Sequence, residues 1–369
     1  MRGCVQNPNP SRPTPAQGTA GPWEHPCLMS EQFALASFGG KIATGLRDVT
    51  SDLSALDSQG WWAVAITFEG QPLCARFDDV REGSAPVTDW VGPPRSSWTT
   101  SLDHFAYVKA VEQVRELIAA GEVYQVNVCR IMSAPLPDPT SVDVVGLAQA
   151  LRGGNPAPHQ GVIRLPDHGV HIVTASPELF LSRSNNRVVT RPIKGTAAEG
   201  EDFLPKDHDE NVMIVDLMRN DLGTICQTGS VVVDELCAVE NHPGLAHLVS
   251  TVSGELKVGV RWKDIVGSTF PPGSVSGAPK SSALRAIRAL EPVERSAYCG
   301  AVGWVDADNQ TAELAVGIRT FWLEGGRLNF GTGAGITWAS DPEAEWAETE
   351  LKASRLLTVA SGTWKGSES

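Results

Sequence analysis

Short apolar segments separated by turns recur along most of the chain, and this spacing limits the possible folds more than any other feature. Segments of four to eight residues that are apolar, or that alternate apolar and polar residues, are typical of β-strands. We predict strands at residues Trp61–Ile66, 123–128, 162–165, 170–174, 179–182, 186–190, 301–305, 314–322 and 328–331. Few helices separate these segments, which favours antiparallel pairing. The expected class is therefore α/β (α+β), with antiparallel sheets and helices packed outside them.

Three helices are predicted from capping residues and from the spacing of apolar residues. The first covers residues 103–120, where Asp103 can cap the start and Gly121 fits the stop. Valine and isoleucine side chains recur on one face of this segment, as in a helix packed on a core. A second helix is predicted over residues 207–220. A third begins at residues 340–343, whose sequence Ser-Asp-Pro-Glu resembles a capping box.

Bulk composition excludes several classes of protein. The net charge of −13 and the lack of a basic stripe argue against binding to nucleic acid. No apolar run approaches the ~18 residues of a transmembrane helix. The seven cysteines form no CxxC pair, and an odd number of scattered thiols is typical of a reducing compartment. We therefore expect a cytoplasmic protein that binds neither nucleic acid nor a membrane.

The chain is predicted to contain one domain after a short lead. Residues 1–22 are rich in X-Pro steps and poor in large apolar residues, which predicts disorder. This lead lacks the apolar core of a secretory signal. No break in composition and no internal repeat divides residues 23–365, so we expect a single domain there. Its first part, residues 23–100, is predicted to consist of short strands broken by turns.

The motif at residues 191–196, Arg-Pro-Ile-Lys-Gly-Thr, directly follows a predicted strand. Its proline breaks a regular hydrogen-bond ladder, and its glycine lets the backbone pass close to a neighbour or a ligand. Burial beside a second cation, here Arg191, would lower the pKa of a lysine and make its amine a nucleophile. The motif therefore fits either a solvated surface lysine at Lys194 or a buried nucleophile.

Two pairs of acidic residues lie near predicted helix starts. Asp207 and Glu210 form the first pair, and Glu345 and Glu348 form the second. Spacing by three places both carboxylates of a pair on one helix face, and Lys352 lies four residues after Glu348, where an ordinary ion pair can form. The helix dipole alone explains acids in a first turn. The two pairs could instead converge on one Mg2+ ion, which binds carboxylate and substrate oxygens.

Two glycine-rich stretches, residues 273–280 and 331–335, do not match nucleotide-binding motifs. The spacing of the second is too short for the dinucleotide fingerprint, and Pro279 removes a backbone donor that a phosphate loop needs. Each stretch could present successive amides to a carboxylate as an anion nest. Each is equally consistent with a plain tight turn.

Segments spread from residue 103 to residue 354 resemble, in the same order, those of the chorismate-utilising enzymes. The matching segments are residues 121–127, 176–178, 192–196, Glu210, 213–222, 247–250, 273–280, 318–320, 333–336 and 341–343. The resemblance implies two large, mostly antiparallel sheets packed face to face as a sandwich, with helices outside. It places the active site at the sandwich edge, where both acidic helices begin.

Two positions indicate which reaction the resemblance implies. Family members that add water to chorismate carry a lysine base where this chain has Gln125, and glutamine cannot act as that base. Anthranilate synthases have alanine at the position of Lys194. A lysine there resembles the large subunit of the aminodeoxychorismate synthases, which form 4-amino-4-deoxychorismate for 4-aminobenzoate and folate synthesis. Anthranilate synthase component I is the alternative, and a non-catalytic chorismate-binding or scaffold subunit is a third hypothesis.

The resemblance also implies roles for individual residues. The Lys194 amine would attack C2 of chorismate while the C4 hydroxyl departs with help from Glu178 as general acid, and ammonia would then expel the lysine. Magnesium would be held by Glu210 and Glu348, with Glu345 close by and Asp207 behind them. Contacts to substrate would come from Thr196, His247, Tyr298, Arg319, Gly333, Ala334, Gly335 and Lys352.

The resemblance implies where the nitrogen comes from. The sequence has no cysteine nucleophile elbow of a glutaminase, so ammonia would be free or supplied by a separate glutamine amidotransferase small subunit. Residues 23–100 are short beside the amino-acid-binding region of larger relatives. The run at residues 157–160, Ala-Pro-His-Gln, also departs from the aromatic sequence usual before the next strand.

Overall fold

The computed structural model describes residues 33–138, 143–198, 202–203, 205–242 and 245–362, so the lead expected at residues 1–22 lies outside it. Within this range the chain forms eighteen strands and six α-helices. The strands are Leu35–Phe38 (β1), Lys41–Thr50 (β2), Trp61–Ile66 (β3), Pro72–Glu82 (β4), Thr99–Thr100 (β5), Gln125–Pro135 (β6), His159–Leu165 (β7), Val170–Ser176 (β8), Leu179–Ser184 (β9), Arg187–Arg191 (β10), Ile193–Ala198 (β11), Val232–His242 (β12), Leu245–Glu255 (β13), Gly277–Ala278 (β14), Ala301–Asp306 (β15), Thr311–Val316 (β16), Thr320–Glu324 (β17) and Arg327–Ile336 (β18). The helices are His104–Ala119 (α1), Val144–Gly154 (α2), Pro205–Ile225 (α3), Trp262–Thr269 (α4), Lys280–Leu290 (α5) and Pro342–Ala360 (α6).

All strand pairs among the described residues are antiparallel, as the strand spacing predicted. Hydrogen bonding runs in the order β5–β6–β18–β17–β8–β7–β1–β2–β4–β3–β15–β16–β9–β10–β13–β12. Strand β11 also pairs with β13, and β14 pairs with β6. The two expected sheets are therefore joined, through the β1–β2 hairpin, into one continuous network.

The larger hydrophobic core contains residues from both halves of this network. Val128 of β6 and Ile172 of β8 belong to it together with Val64 of β3, Leu181 of β9 and Val302 of β15. Two twisted sheets packed face to face form such a shared core. The expected mixed α/β class, with a large antiparallel sheet and helices, is confirmed.

A second core lies between helices and the first half of the network. Leu147 of α2 and Leu357 of α6 belong to it with Val173 of β8 and Phe330 of β18. These helices therefore cover the strands that lead to the glycine-rich end of β18. None of the described helices has the length and apolar character that crossing a bilayer requires.

Two predictions of local structure, at residues 314–322 and 331–335, are wrong. The single strand expected at residues 314–322 is two strands, β16 and β17, separated by residues 317–319. A Cβ at Gly317 would lie 2.1 Å from the Ala297 oxygen, so the chain bends away from a regular strand where another loop approaches. The stretch at 331–335 is neither a turn nor a nest, because it belongs to β18 and pairs with β6.

The predicted ends are confirmed at α1, whereas α3 covers Pro205–Ile225 and extends past both ends of the helix predicted at residues 207–220, and the start of α6 differs in its cap. The Asp103 carboxylate accepts a hydrogen bond from the Ala106 amide at 2.8 Å and caps α1, and Gly121 follows that helix with φ +76°. At α6 the cap is Asp341, which accepts from the Ala344 amide at 2.9 Å. The expected capping box starting at Ser340 is therefore wrong, since its hydroxyl bonds to Glu345 instead.

Candidate active site

The Lys194 amine lies partly buried on β11, against the ends of β6 and β18. Its Nζ donates a hydrogen bond to the Ser274 carbonyl oxygen at 2.9 Å. A Cβ built on Gly335 would lie 3.4 Å from this Nζ and 2.6 Å from Gln125 Nε2, so the glycine leaves room for both side chains. Burial lowers the pKa of Lys194, although the nearby carboxylates of Glu210 and Glu178 act in the opposite direction.

Arg191 does not provide the second cation beside Lys194, and that part of the prediction is wrong. Its guanidinium forms an ion pair with Glu240 of β12 and a 3.3 Å hydrogen bond to the Thr251 hydroxyl. The cation that adds to the effect of burial on Lys194 is Lys352 of α6. This interaction joins residues 158 positions apart and has no signature in the local sequence.

The Glu178 carboxyl group is fully enclosed at the turn between β8 and β9, with only 4% of the residue exposed. Its Oε1 accepts a hydrogen bond of 2.5 Å from the Ser274 hydroxyl. Burial raises the pKa of Glu178 to about 7, while the Ser274 hydrogen bond and the Lys194 charge hold it from rising further. This carboxyl can therefore carry a proton near neutral pH, as a general acid must.

The first acidic pair, Asp207 and Glu210, begins α3 beside Lys194. Glu210 Oε2 accepts from Gln125 Nε2 at 3.3 Å. Burial raises the pKa of Glu210, the Lys194 charge opposes this, and the carboxylates of Asp207 and Glu348 add to it. The Asp207 side chain packs on the strand, because a Cβ at Gly195 would lie 2.8 Å from the Asp207 Cβ.

The second acidic pair lies on α6 and faces the first. Glu345 is buried and its Oε1 accepts from the Ser340 hydroxyl at 2.6 Å. Burial raises the pKa of Glu345, and the Glu348 carboxylate adds to this. Partial burial would raise the pKa of Glu348 as well. Its 2.6 Å ion pair with Lys352 has the larger effect, together with other nearby cations, and the pKa of Glu348 is lowered. The predicted pair between Glu348 and Lys352 is thus confirmed.

The carboxylate oxygens of the two acidic pairs are suitable ligands for a hard divalent cation, although they do not form a complete coordination shell. Among the described residues, no three acidic, histidine or cysteine side chains are grouped as a metal site. The Glu348 carboxylate on α6 nevertheless raises the pKa of Glu210 on α3, so the two carboxylates are close enough to interact. Mg2+ commonly binds through one or two carboxylates plus water and substrate oxygens, which this arrangement permits.

Arg319 lies in the break between β16 and β17, with a strained backbone at φ +51°. Its carbonyl accepts from the Ala175 amide at 3.0 Å, and Val316 donates to the Glu178 carbonyl at 3.0 Å. The break between β16 and β17 thus places Arg319 near the turn between β8 and β9 that carries Glu178. Burial lowers the pKa of Arg319, and no side chain in the described part of the chain forms an ion pair with it. An unpaired, partly buried guanidinium of this kind can bind an anion.

The glycines of β18 do not present three successive amides, as a nest would. The Gly333 carbonyl accepts from Lys352 Nζ at 3.2 Å, so the polar groups of this residue point away from β6. The backbone N–H and C=O groups of successive residues in a strand point to opposite sides. The amide of Gly335 therefore points the same way as that of Gly333, whereas the amide of Ala334 points towards Val128 on β6. Amides available to a ligand would therefore come from Gly333 and Gly335 and not from Ala334.

The remaining predicted contacts lie farther into the fold. His247 is 4% exposed on β13, opposite Thr196 of β11, whose side chain lies outside the described part of the structure. Tyr298 is also buried, and its ring lies against β18 so closely that a Cβ at Gly331 would be 2.0 Å from it. Tyr298 therefore contributes to the core, and burial raises the pKa of its hydroxyl well above the usual value.

Two residues of this site were missed by sequence reasoning. Ser274 contacts both Lys194 and Glu178, yet the stretch around it was considered for its backbone amides and as a family segment, and not for the Ser274 side chain. Lys206 at the start of α3 lowers the pKa of Glu348 and opposes the rise at Glu210. Its spacing of four from Glu210 was the available signal for a side-chain pair on one helix face.

Comparison with known proteins gives the same family as the motifs. The family described as chorismate binding enzyme matches residues 65–358. Anthranilate synthase component 1 of Streptomyces coelicolor is 39% identical over 275 residues, which cover 71% of this chain and 52% of the relative. Aminodeoxychorismate synthase component 1 of Bacillus subtilis is 37% identical over 269 residues, or 70% of this chain and 56% of the relative.

A solved structure supports the fold at lower sequence identity. Anthranilate synthase component I from Streptococcus pneumoniae superposes with a TM-score of 0.74 at 23% identity, covering 92% of this chain and 95% of that one. The chain spans a little over half the length of the two curated relatives. The relatives carry two different names, so similarity alone gives the protein family and leaves the reaction open.

Proposed function

The chain belongs to the chorismate-binding enzyme family, and from this premise we propose that it is component I of an aminodeoxychorismate synthase. The proposed reaction converts chorismate and ammonia to 4-amino-4-deoxychorismate and water. The observation that carries the proposal is the Lys194 amine, partly buried and hydrogen bonded to the Ser274 carbonyl between the carboxyls of Glu178 and Glu210. A solvated surface lysine would have no such surroundings.

In the first step, Lys194 and Glu178 would act on opposite parts of the substrate. The neutral Lys194 amine forms a bond to C2 of chorismate, the ring double bonds shift, and the bond from C4 to its hydroxyl breaks. Glu178 gives its proton to that hydroxyl, which leaves as water, because hydroxide alone is a poor leaving group. Burial favours the neutral form of both residues, which is the form that each needs.

In the second step, ammonia replaces the enzyme nitrogen. Ammonia forms a bond to C4, the double bonds shift back, and the bond between C2 and Lys194 breaks. The proton lost by the incoming nitrogen returns to the Glu178 carboxylate, so both residues regain their starting forms. A covalent intermediate divides one difficult displacement into two easier ones.

The remaining groups would hold the two substrate carboxylates. Magnesium, bound through Glu210 and Glu348, would supply positive charge beside one carboxylate. Glu345 would support these ligands from α6 through its hydrogen bond to Ser340. Arg319, which has no acidic partner in the described part of the chain, would pair with the other carboxylate.

Anthranilate synthase component I is the second candidate, and it is supported by the name of the Streptomyces coelicolor relative. That reaction adds nitrogen at C2 and has no need of a lysine nucleophile. Under this alternative, the lowered pKa and the enclosed position of Lys194 would have no function in the chemistry. For either product we propose ammonia, free or from a separate glutamine amidotransferase subunit, as the nitrogen source.

A product assay separates the two candidates. The purified chain is incubated with chorismate, Mg2+ and ammonium, and products are separated by liquid chromatography with mass detection. We expect 4-amino-4-deoxychorismate from the wild type and loss of most of it from Lys194→Ala. Lys257→Ala, which removes an exposed lysine outside the site, serves as the matched control. Anthranilate as the main wild-type product would contradict the proposal.

A further inference from the structure

Ser274 is the one residue of the described site that is bonded to both proposed reacting groups. Its hydroxyl donates to Glu178 Oε1 at 2.5 Å, and its carbonyl oxygen accepts from Lys194 Nζ at 2.9 Å. We propose that Ser274 is a positioning residue that fixes the general acid and the nucleophile relative to each other. This inference rests on the proposed function, in which these two groups act in the same step.

The turn that carries Ser274 is held from several sides. The buried guanidinium of Arg295 donates to the Val275 carbonyl at 2.9 Å. Gly273 packs so closely on α3 that a Cβ there would lie 2.4 Å from Leu217. Ser274 itself is 5% exposed. Its hydroxyl and carbonyl therefore have one orientation, set before any substrate binds.

The carbonyl of Ser274 orients the Lys194 amine. A neutral amine has two N–H donors and one lone pair, and one donor is used by the carbonyl at 2.9 Å. The second N–H and the lone pair are then both directed away from the Ser274 carbonyl, and Gly335 leaves space beside Nζ. A nucleophile held in a near-attack orientation reacts faster because less freedom is lost in the transition state.

The hydroxyl of Ser274 acts on Glu178 in the transition state. The charged side chains that contribute at this carboxyl are Lys194 and His159, and the Ile193 amide also donates to it. As Glu178 releases its proton, negative charge grows on the oxygens that accept these hydrogen bonds. A hydrogen bond to a carboxylate is stronger than one to a neutral carboxyl, so the Ser274 hydroxyl stabilises the transition state more than the ground state.

The test compares two serine variants from the same turn. Ser274→Ala removes the hydroxyl from Glu178, whereas Ser276→Ala removes an equally buried hydroxyl that bonds only to backbone carbonyls. We expect kcat of Ser274→Ala to fall at least tenfold and the basic limb of its pH profile to move to higher pH. The direction follows because the hydroxyl lowers the pKa of Glu178. Ser274→Thr, which keeps a hydroxyl, should return the limb towards its wild-type position.

A second measurement does not depend on any product. The Glu178 carboxyl is titrated by carbon-13 NMR in protein labelled at glutamate carboxyls, with Glu178→Gln to assign the signal. We expect a higher pKa in Ser274→Ala and the wild-type pKa in Ser276→Ala. An unchanged pKa in Ser274→Ala, or an equal shift in both variants, would overturn the inference. If the wild type makes anthranilate while the pKa shift appears, the proposed function fails and the contact between Ser274 and Glu178 stands.

Discussion

At the scale of single residues, the site holds an amine and a carboxyl group whose burial favours the neutral form of each. Burial lowers the pKa of Lys194 and raises that of Glu178, while their mutual attraction acts the other way. The proposed reaction needs both in the neutral form at the same pH. Lys352 adds to the effect of burial on Lys194, and the Glu210 carboxylate opposes it.

Glu178 gives the pH dependence its expected sign. A general acid works in its protonated form, and the pKa of Glu178 lies at about 7, so kcat should fall as pH rises above about 7. Glu178→Gln should lower kcat by about 10²–10⁴-fold and remove this limb. The measurement is kcat against pH for both proteins. Glu116→Gln, on the exposed face of α1, is the control, and a limb that persists in Glu178→Gln would assign the titration to another group.

Gly335 matters through the space it leaves. A methyl group in Gly335→Ala would meet Gln125 Nε2 at 2.6 Å and Lys194 Nζ at 3.4 Å, so the amide must move and the amine is crowded. We expect kcat to fall about tenfold or more while the melting temperature changes little, because the clashing atom is the end of the flexible Gln125 side chain, which can move. Steady-state kinetics and thermal unfolding check this. Gly267→Ala, at a helix position where nothing lies within 4 Å, should leave kcat unchanged.

At the scale of elements, patterns within one segment were predictable and contacts between distant segments were not. The cap at Asp103 and the strands of regular spacing follow from local sequence, and the structure has them. The break before Arg319 depends on Gly317 meeting the Ala297 loop, which no local pattern shows. The pairing of Arg191 with Glu240 likewise depends on β12 and β10 lying beside β13.

The same limit applies to the site itself. Sequence motifs selected Lys194, Glu178 and the two acidic pairs, and the structure brings Lys194 into electrostatic contact with Glu178, Glu210 and Glu348. Sequence could not show that β18 continues through its glycines, because glycine content favours turns while strand pairing with β6 overrides that preference. Ser274 was missed because its role depends on Lys194 and Glu178, which are far from it in the sequence.

The turn beneath the site depends on one buried ion pair. Arg295 is 1% exposed, forms a 2.6 Å pair with Glu291, and donates to the carbonyls of Val275 and Asn127. Arg295→Met would leave Glu291 buried without its partner, which costs about 3–5 kcal/mol. Urea unfolding should show this loss in the free energy of unfolding. Adding Glu291→Gln should recover part of it, and an additive double variant would contradict the pairing.

At the scale of the whole molecule, the site joins the two ends of the strand order. Strands β6 and β18, which carry Gln125 and Gly335, lie near one end, and β11 with Lys194 pairs with β13 near the other. These groups meet only because the two halves of the network pack face to face. The acidic pairs on α3 and α6 meet across the same junction. The candidate site is therefore a property of the complete fold and of no single motif.

Metal binding should depend on both helices at this junction. We expect Mg2+ with chorismate to raise the melting temperature of the wild type, and chelation to remove this gain. Glu210→Gln and Glu348→Gln, one from each helix, should each abolish the shift, because each takes away a proposed carboxylate ligand. Glu343→Gln removes an exposed acid from the first turn of α6 and should keep it. A full shift in both site variants would show that the ion binds elsewhere.

The most direct test of the central claim is mass spectrometry of the intact protein after exposure to chorismate and Mg2+ without ammonia. We predict a fraction of the protein heavier by the mass of chorismate less one water, and peptide mapping should assign the added mass to Lys194. The adduct should disappear on addition of ammonium and be absent from Lys194→Ala. Chorismate amination by the wild type with no adduct under any condition, or an equal adduct in Lys194→Ala, would contradict the account.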